Sequence, residues 1–192
     1  MTSVVWVKDE GAEYAEVHLA EGHLTATGAA IGADPVPYRL EYELTTGPEY
    51  VTEALAVRSW GAGWSRTLDL KRDGSGSWSC AATSAGVLAG PGPGGDPAEL
   101  AGALDCDLGL SPLTNSMPVL RHGMLAGGAS VDFMMAWVRV PHLAVIRYPQ
   151  RYVPLRPGVV RYESEGFQAD LSFGPEGLVG RYPGLAEQVT VP

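Results

Sequence analysis

The chain has 192 residues, of which 13 are basic and 22 acidic, so its formal net charge at pH 7 is −9. That charge repels phosphate backbones and anionic membrane surfaces, which argues against nucleic-acid binding. A chain of this length is typical of one domain and can build a large core without disulfides, so we expect residues 1–192 to form a single domain.

Cellular location is predicted from features that the sequence lacks. Cys80 and Cys106 are too few for a disulfide framework, and the first residues show no basic stretch followed by an apolar segment. The longest apolar run, near residues 131–145, is interrupted by charged residues and a proline and is too short to span a bilayer. We therefore expect a cytoplasmic protein without a membrane span.

Alternation of apolar and polar side chains is the main pattern in the N-terminal part of the chain. It runs from Ala15 to Leu19 and again from Tyr38 to Leu44, where every even-numbered residue is apolar and every odd-numbered residue is charged. Alternate side chains of a strand point to opposite faces of a sheet. Both segments are therefore predicted to be strands with one face towards solvent.

Residues 54–82 predict three more strands. Residues 54–60 and 64–72 have strand composition, and the second run is followed by Asp73-Gly74-Ser75-Gly76 and by an apolar segment over residues 78–82. Glycine accepts the positive φ angles of tight turns, so the last two strands are predicted to form a hairpin. Strand-sized segments separated by such turns favour a mainly β domain.

The middle of the chain contains loops and little helix. Residues 86–95 are rich in glycine and proline and predict a surface loop, after which Asp96-Pro97-Ala98-Glu99 provides the start of one short helix over about 97–103. Within residues 105–118, prolines stand at both ends of a Leu-Thr-Asn-Ser-Met segment that has several short polar side chains, which predicts an ordered loop. That loop either satisfies backbone groups at a sheet edge or presents Thr114 and Asn115 to a ligand.

The segment from Ser130 to Val140 is apolar on both faces. It is therefore predicted to be a strand at the centre of the structure, covered on each side by a second layer or by a ligand cavity inside a curved sheet. Alternation returns from Phe167 to Phe173, which predicts a further strand, and a helical turn is expected after Pro183-Gly184. Gly90, Gly92 and Gly95 have the spacing of a dinucleotide-binding loop, but Pro91 and Pro93 remove backbone amides that a phosphate-binding loop needs. We therefore expect no cofactor.

Histidines and carboxylates leave several chemistries open. The four histidines lack the close spacing of a zinc site, so we expect no metal. Asp105 and Asp107, two positions apart on an extended chain, face the same side and either cap a loop or act as acids and bases. One alternative function is thus a small hydrolase or isomerase using either aspartate with His122, and another is a protein-interaction module such as a homodimer formed through an exposed sheet edge.

Four blocks of the C-terminal half together resemble a known family. They are Asp105 to Arg121, Trp137 to Leu143, Gln150 to Tyr152, and Gly177 to Leu185. In order and rough spacing they are similar to the putative glycolipid-binding family, a bacterial domain of unknown function. The resemblance implies one antiparallel sheet curled into a half-barrel, as in bacterial lipoprotein-carrier domains, whose concave face receives an acyl chain.

This resemblance leads to a hypothesis of non-catalytic binding of a glycolipid or an acyl-chain lipid. A site of this kind needs a concave apolar wall with a few polar groups at its rim. We expect the wall to contain Phe133, Met135 and Trp137. The remaining candidate ligand-binding residues are polar or amphipathic: Asp105, Asp107, Thr114, Asn115, Arg121, Gln150 and Tyr152.

Overall fold

The computed structural model describes residues 1–189, and its elements are mainly strands. The strands are β1 (Thr2–Lys8), β2 (Gly11–Ala20), β3 (His23–Gly32), β4 (Tyr38–Thr46), β5 (Thr52–Gly61), β6 (Trp64–Arg72), β7 (Trp78–Gly86), β8 (Asp105–Leu108), β9 (Val131–Arg139), β10 (Ala144–Arg156), β11 (Val159–Ser164), β12 (Phe167–Phe173), β13 (Val179–Tyr182) and β14 (Ala186–Gln188). One α-helix, α1, spans Ser116–Arg121, and single 3-10 turns lie at Pro48–Tyr50, Pro97–Leu100, Leu113–Asn115 and Met124–Ala126.

All strands belong to one sheet, in the order β7-β6-β5-β4-β3-β2-β1-β14-β13-β12-β11-β10-β9-β8. Every neighbouring pair is antiparallel except β8 and β9, which run parallel. The sheet is curved but does not close, which confirms the prediction of a mainly β half-barrel. The parallel pair was not expected from the sequence.

Several predicted strands are confirmed. In β4 the inward residues Tyr38, Leu40 and Leu44 are buried, whereas the charged residues between them are exposed. The predicted hairpin joins β6 to β7, and its turn is held by the Asp73 carboxylate, which accepts hydrogen bonds from the backbone amides of Ser75 and Ser77 at 2.9 and 3.0 Å. Local turn chemistry and alternation therefore determine these elements.

A buried carboxylate, that of Glu13, links the N-terminal strands to the interior of the half-barrel. Tyr42 lies opposite Gly28 in the neighbouring strand, and a Cβ atom at Gly28 would lie 2.2 Å from Tyr42 Cζ, so the absent side chain makes room for the ring. The Tyr42 hydroxyl donates a hydrogen bond to Glu13 Oε1 at 3.0 Å. Glu13 also accepts a hydrogen bond from Ser111 Oγ at 2.6 Å and pairs with Lys8. These contacts fix Ser111 against the inner face of the sheet.

The interior is filled by a short helical segment, which we call the plug and define as residues 111–121. Residues 111–119 are all buried, and Leu113 and Met117 are fully enclosed in the core. The prediction of a loop over residues 105–118 was wrong, because residues 105–108 form β8 and residues 113–121 are helical. Pro118 is compatible with α1 because it lies in the first turn, where backbone amides have no partner within the helix.

Three other predictions need correction. Strand β9 is not central but second from an edge of the sheet. Both of its faces are covered because the sheet curls far enough for β8 to approach β5. At this approach the Cys106 backbone amide donates a hydrogen bond to Thr52 Oγ1 at 3.0 Å. The helix expected over 97–103 is one 3-10 turn at Pro97–Leu100, although Asp96 caps it as expected. The chain after Pro183 makes a turn rather than a helix before β14 begins.

Candidate functional site

A cavity of about 460 Å³ opens between the plug and the inner face of β9–β13. Its walls carry five aromatic side chains from five different strands or strand ends, which are Trp137, Tyr148, Tyr162, Phe167 and Tyr182. Trp137 and Tyr148 lie against each other with ring centroids 4.8 Å apart, while Tyr162 lies 6.0 Å from both Phe167 and Tyr182. The volume is within the range typical of small-molecule sites.

Polar side chains form the floor of the cavity. Asp107 projects from β8, and Ser111 and Asn115 from the plug. Asn115 is 4% exposed, and its Oδ1 accepts a hydrogen bond from the Tyr152 hydroxyl at 2.8 Å, which fixes the orientation of the amide. The floor therefore combines a carboxylate, an amide and a hydroxyl within an aromatic enclosure.

Asp107 is held beneath the protein surface, yet its side chain is accessible on the side that faces the cavity. Its Oδ1 accepts a hydrogen bond from Thr114 Oγ1 at 3.0 Å, and its Oδ2 accepts one from Gln150 Nε2 at 2.6 Å. Burial raises the pKa of Asp107, and the hydrogen bonds from Gln150 and Thr114 counteract this effect. Because both oxygens act as acceptors, the geometry matches an ionised carboxylate.

Two tyrosines of the wall, Tyr162 and Tyr182, remain neutral. Burial, more than nearby charge, raises the pKa of both Tyr162 and Tyr182 well above the ordinary value. Their hydroxyls are therefore available as neutral donors and acceptors at physiological pH, and their ring faces provide apolar contact area.

Asp105 has a different environment from Asp107, although both side chains leave the same face of β8. It forms an ion pair with Arg121, which also donates through Nε to the Glu49 backbone oxygen at 2.8 Å. Burial raises the pKa of Asp105 to about 6, against the lowering effect of Arg121. Glu49 and Tyr50 adopt left-handed φ angles of 58° and 59°, so Arg121 links the plug to an unusual turn between β4 and β5. This pair connects the plug to β8 and does not line the cavity.

The mouth of the cavity is both charged and apolar. Asp34, Arg139 and Glu165 lie around it, together with Leu110 and Phe167, which are 41% and 46% exposed. Leu110 has a φ angle of 64°, which costs roughly 1 kcal/mol or more for a residue with a Cβ atom. The structure thus holds two large apolar side chains in solvent at the opening.

The ten predicted site residues fall into three groups. Asp107, Asn115 and Trp137 line the cavity. Thr114, Gln150 and Tyr152 lie behind it and hold Asp107 or Asn115 by hydrogen bonds. The other four, Asp105, Arg121, Phe133 and Met135, are not part of the lining.

Four cavity aromatics were not proposed from the sequence, namely Tyr148, Tyr162, Phe167 and Tyr182. Phe167 was recognised only as part of a strand. The sequence did contain a signal for some of these residues. Tyr148, Gln150 and Tyr152 stand at alternate positions of β10 and so share one face, and Tyr162 of β11 lies opposite Tyr152 on that face. Sequence alternation gives the shared face, but the curvature that brings five strands around one cavity is a property of the whole sheet.

The structure does not assemble the acid–base pair of the enzyme alternative. His122 is exposed, its ring packs edge-on against Phe133 with centroids 5.3 Å apart, and it does not line the cavity. Burial lowers the pKa of His122. Within residues 1–189, no group of three His, Cys, Asp or Glu side chains is placed to hold a metal ion.

A broader depression of about 610 Å³ lies across β2–β6 and is lined partly by solvent-facing charged residues such as Glu16, Glu41 and Arg58. It is an open trough without an aromatic cluster comparable to that of the smaller cavity, which we therefore regard as the candidate site.

Among the helices of the described part of the chain, none is both long and apolar enough to cross a bilayer.

Comparisons with known proteins identify the family and support the fold. A family model described as "Putative glycolipid-binding" matches residues 3–188. The crystal structure of a DUF1089 family protein from Pseudomonas aeruginosa is similar, with a TM-score of 0.71, 25% sequence identity and coverage of 92% of each chain. No curated protein matches.

Proposed function

Because this chain belongs to the family described as putative glycolipid-binding, we propose that it binds an amphipathic ligand, a glycolipid or another acyl-chain lipid, without converting it. The observation that carries the proposal is the cavity of about 460 Å³, in which five aromatic rings surround a polar floor. Such a combination offers apolar contact area together with a few hydrogen-bonding groups that fix orientation. The catalytic alternative has less support, since His122 lies outside the cavity.

The expected affinity follows from the size of the contacts. Each methylene removed from water contributes about 0.8 kcal/mol, and stacking on aromatic rings adds about 0.5–1.5 kcal/mol per pair. Association costs several kcal/mol in lost freedom of motion. A ligand with a ring and a medium alkyl chain is therefore expected to bind in the micromolar range.

The test uses n-octyl β-D-glucoside below its critical micelle concentration, titrated into ¹⁵N-labelled protein. We expect a saturable shift of the Trp137 indole N–H signal. Replacing Trp137 by leucine removes one wall of the cavity and is expected to weaken binding at least tenfold, which corresponds to about 1.4 kcal/mol.

Trp60 provides a matched control. Like Trp137, it is half-buried and lies under a guanidinium group. The Arg58 guanidinium lies 4.9 Å from the Trp60 ring centroid, and the Arg139 guanidinium lies 5.6 Å from that of Trp137. Trp60 does not line this cavity. Trp60→Leu is expected to leave octyl glucoside binding unchanged. Equal losses in both variants, or no saturable shift in the wild-type protein, would exclude binding at the proposed site.

A further inference from the structure

The polarity of the cavity is ordered from floor to mouth. The floor carries Ser111 and Asn115, each 4% exposed, beside Asp107, whereas the mouth carries the exposed apolar side chains of Leu110 and Phe167. A site that buries an alkyl chain would be expected to have an apolar floor and a polar mouth. Here the floor is polar, and the mouth combines charged side chains with the two large exposed apolar ones.

The floor retains unused hydrogen-bonding capacity. Each carboxylate oxygen can accept two hydrogen bonds, and each oxygen of Asp107 accepts one, from Thr114 or from Gln150. The Asn115 amide nitrogen makes only long contacts with backbone oxygens of residues 111 and 112, at 3.5 and 3.4 Å. Acceptors and a donor therefore line the same cavity, as the hydroxyl groups of a sugar require, since each hydroxyl both donates and accepts.

The charge of the lining favours an uncharged group. Three carboxylates, those of Asp34, Asp107 and Glu165, line the cavity against the single guanidinium of Arg139 in the described part of the chain. The Arg139 guanidinium lies over the Trp137 ring, 5.6 Å from its centroid. A phosphate, sulfate or carboxylate at the floor would face Asp107 at close range in a site of low dielectric constant.

From these observations we propose that the ligand enters head first. An uncharged polyhydroxylated ring binds at the floor, between the aromatic walls and against Asp107 and Asn115, and the alkyl chain leaves through the mouth along Phe167 and Leu110. This inference rests on the proposed function and adds the class of head group and the direction of the ligand. The same charges disfavour anionic head groups.

The experiment determines the direction of bound octyl glucoside from intermolecular NOEs. We expect NOEs from the glucosyl ring protons to the Trp137 indole and the Asn115 side-chain amide, and from the chain protons to the Phe167 ring. NOEs from the terminal methyl group to Asn115 would overturn the inference while leaving the proposed function intact. Failure of octyl glucoside to bind at all would overturn both.

Further probes and variants distinguish the contribution of the ligand's alkyl chain from that of its head group. 1-Octanol, the uncharged chain alone, and sodium octanoate, its anionic counterpart, are expected to leave the Asn115 amide signal unshifted, and a saturable shift with either would contradict the inference. Phe167→Ala is expected to weaken octyl glucoside binding by threefold or more without changing which signals shift. Leu155→Ala is a matched control, because Leu155 is a similarly exposed apolar residue, at 39%, outside the cavity. Equal effects of the two variants would show that the chain does not pass Phe167.

Discussion

Replacing Asp105 by asparagine is expected to change how the stability of the protein depends on pH. Burial raises the pKa of Asp105 in the folded state to about 6 from its ordinary value of 3.8, in spite of the Arg121 ion pair. The folded state therefore binds this proton more tightly than the unfolded state, and stability falls as pH rises from about 4 to about 6. At about 1.4 kcal/mol for each pKa unit, the loss attributable to Asp105 is about 3 kcal/mol.

The assay is urea unfolding, followed by tryptophan fluorescence, of the wild-type protein and Asp105→Asn at several values between pH 4 and pH 7. The free energy of unfolding of the wild-type protein minus that of the variant should fall by about 3 kcal/mol across this range. Asp170→Asn is the control, because the hydrogen bond from Arg161 lowers the pKa of Asp170, so its stabilising effect is lost as pH falls instead. A wild-type minus Asp105→Asn difference that stays constant or rises with pH would refute the reasoning.

Two further predictions concern packing and thiol reactivity. Gly28→Ala is expected to cost roughly 1–3 kcal/mol, measured by urea unfolding, because the new Cβ atom would meet the Tyr42 ring at 2.2 Å, whereas Gly74→Ala, with no atom within 4 Å, should change stability by about 0.5 kcal/mol or less. Cys106 is buried and burial raises its pKa to about 12, so Ellman's reagent should titrate the partly exposed Cys80 in native protein and Cys106 only after denaturation. Equal costs of the two alanine substitutions, or two fast thiols in the native state, would contradict these expectations.

The strands could be predicted because alternation and turn residues act locally. The segments at 38–44, 64–72 and 167–173 were all assigned correctly from these patterns. The plug could not be predicted in the same way. Its residues 111–119 are buried on every side, so the sequence shows no amphipathic period, and Pro112 and Pro118 suggest a loop.

The candidate site was predicted in part for a similar reason. Asp107, Asn115 and Trp137 belong to short motifs that draw attention in the sequence, and all three line the cavity. Phe133 and Met135 share the face of Trp137 on β9 but pack with the core around Tyr152 instead. Which residues of one strand face are enclosed and which remain open depends on the curl of the sheet and on the plug, and neither is encoded in a local pattern.

The location of a bound ligand tests the central claim most directly. A crystal structure of the protein with octyl glucoside is expected to show the ligand inside the cavity of about 460 Å³, in contact with Trp137 and Tyr182. Ligand found only in the outer trough across β2–β6, or a cavity that stays without ligand at saturating octyl glucoside, would contradict the claim.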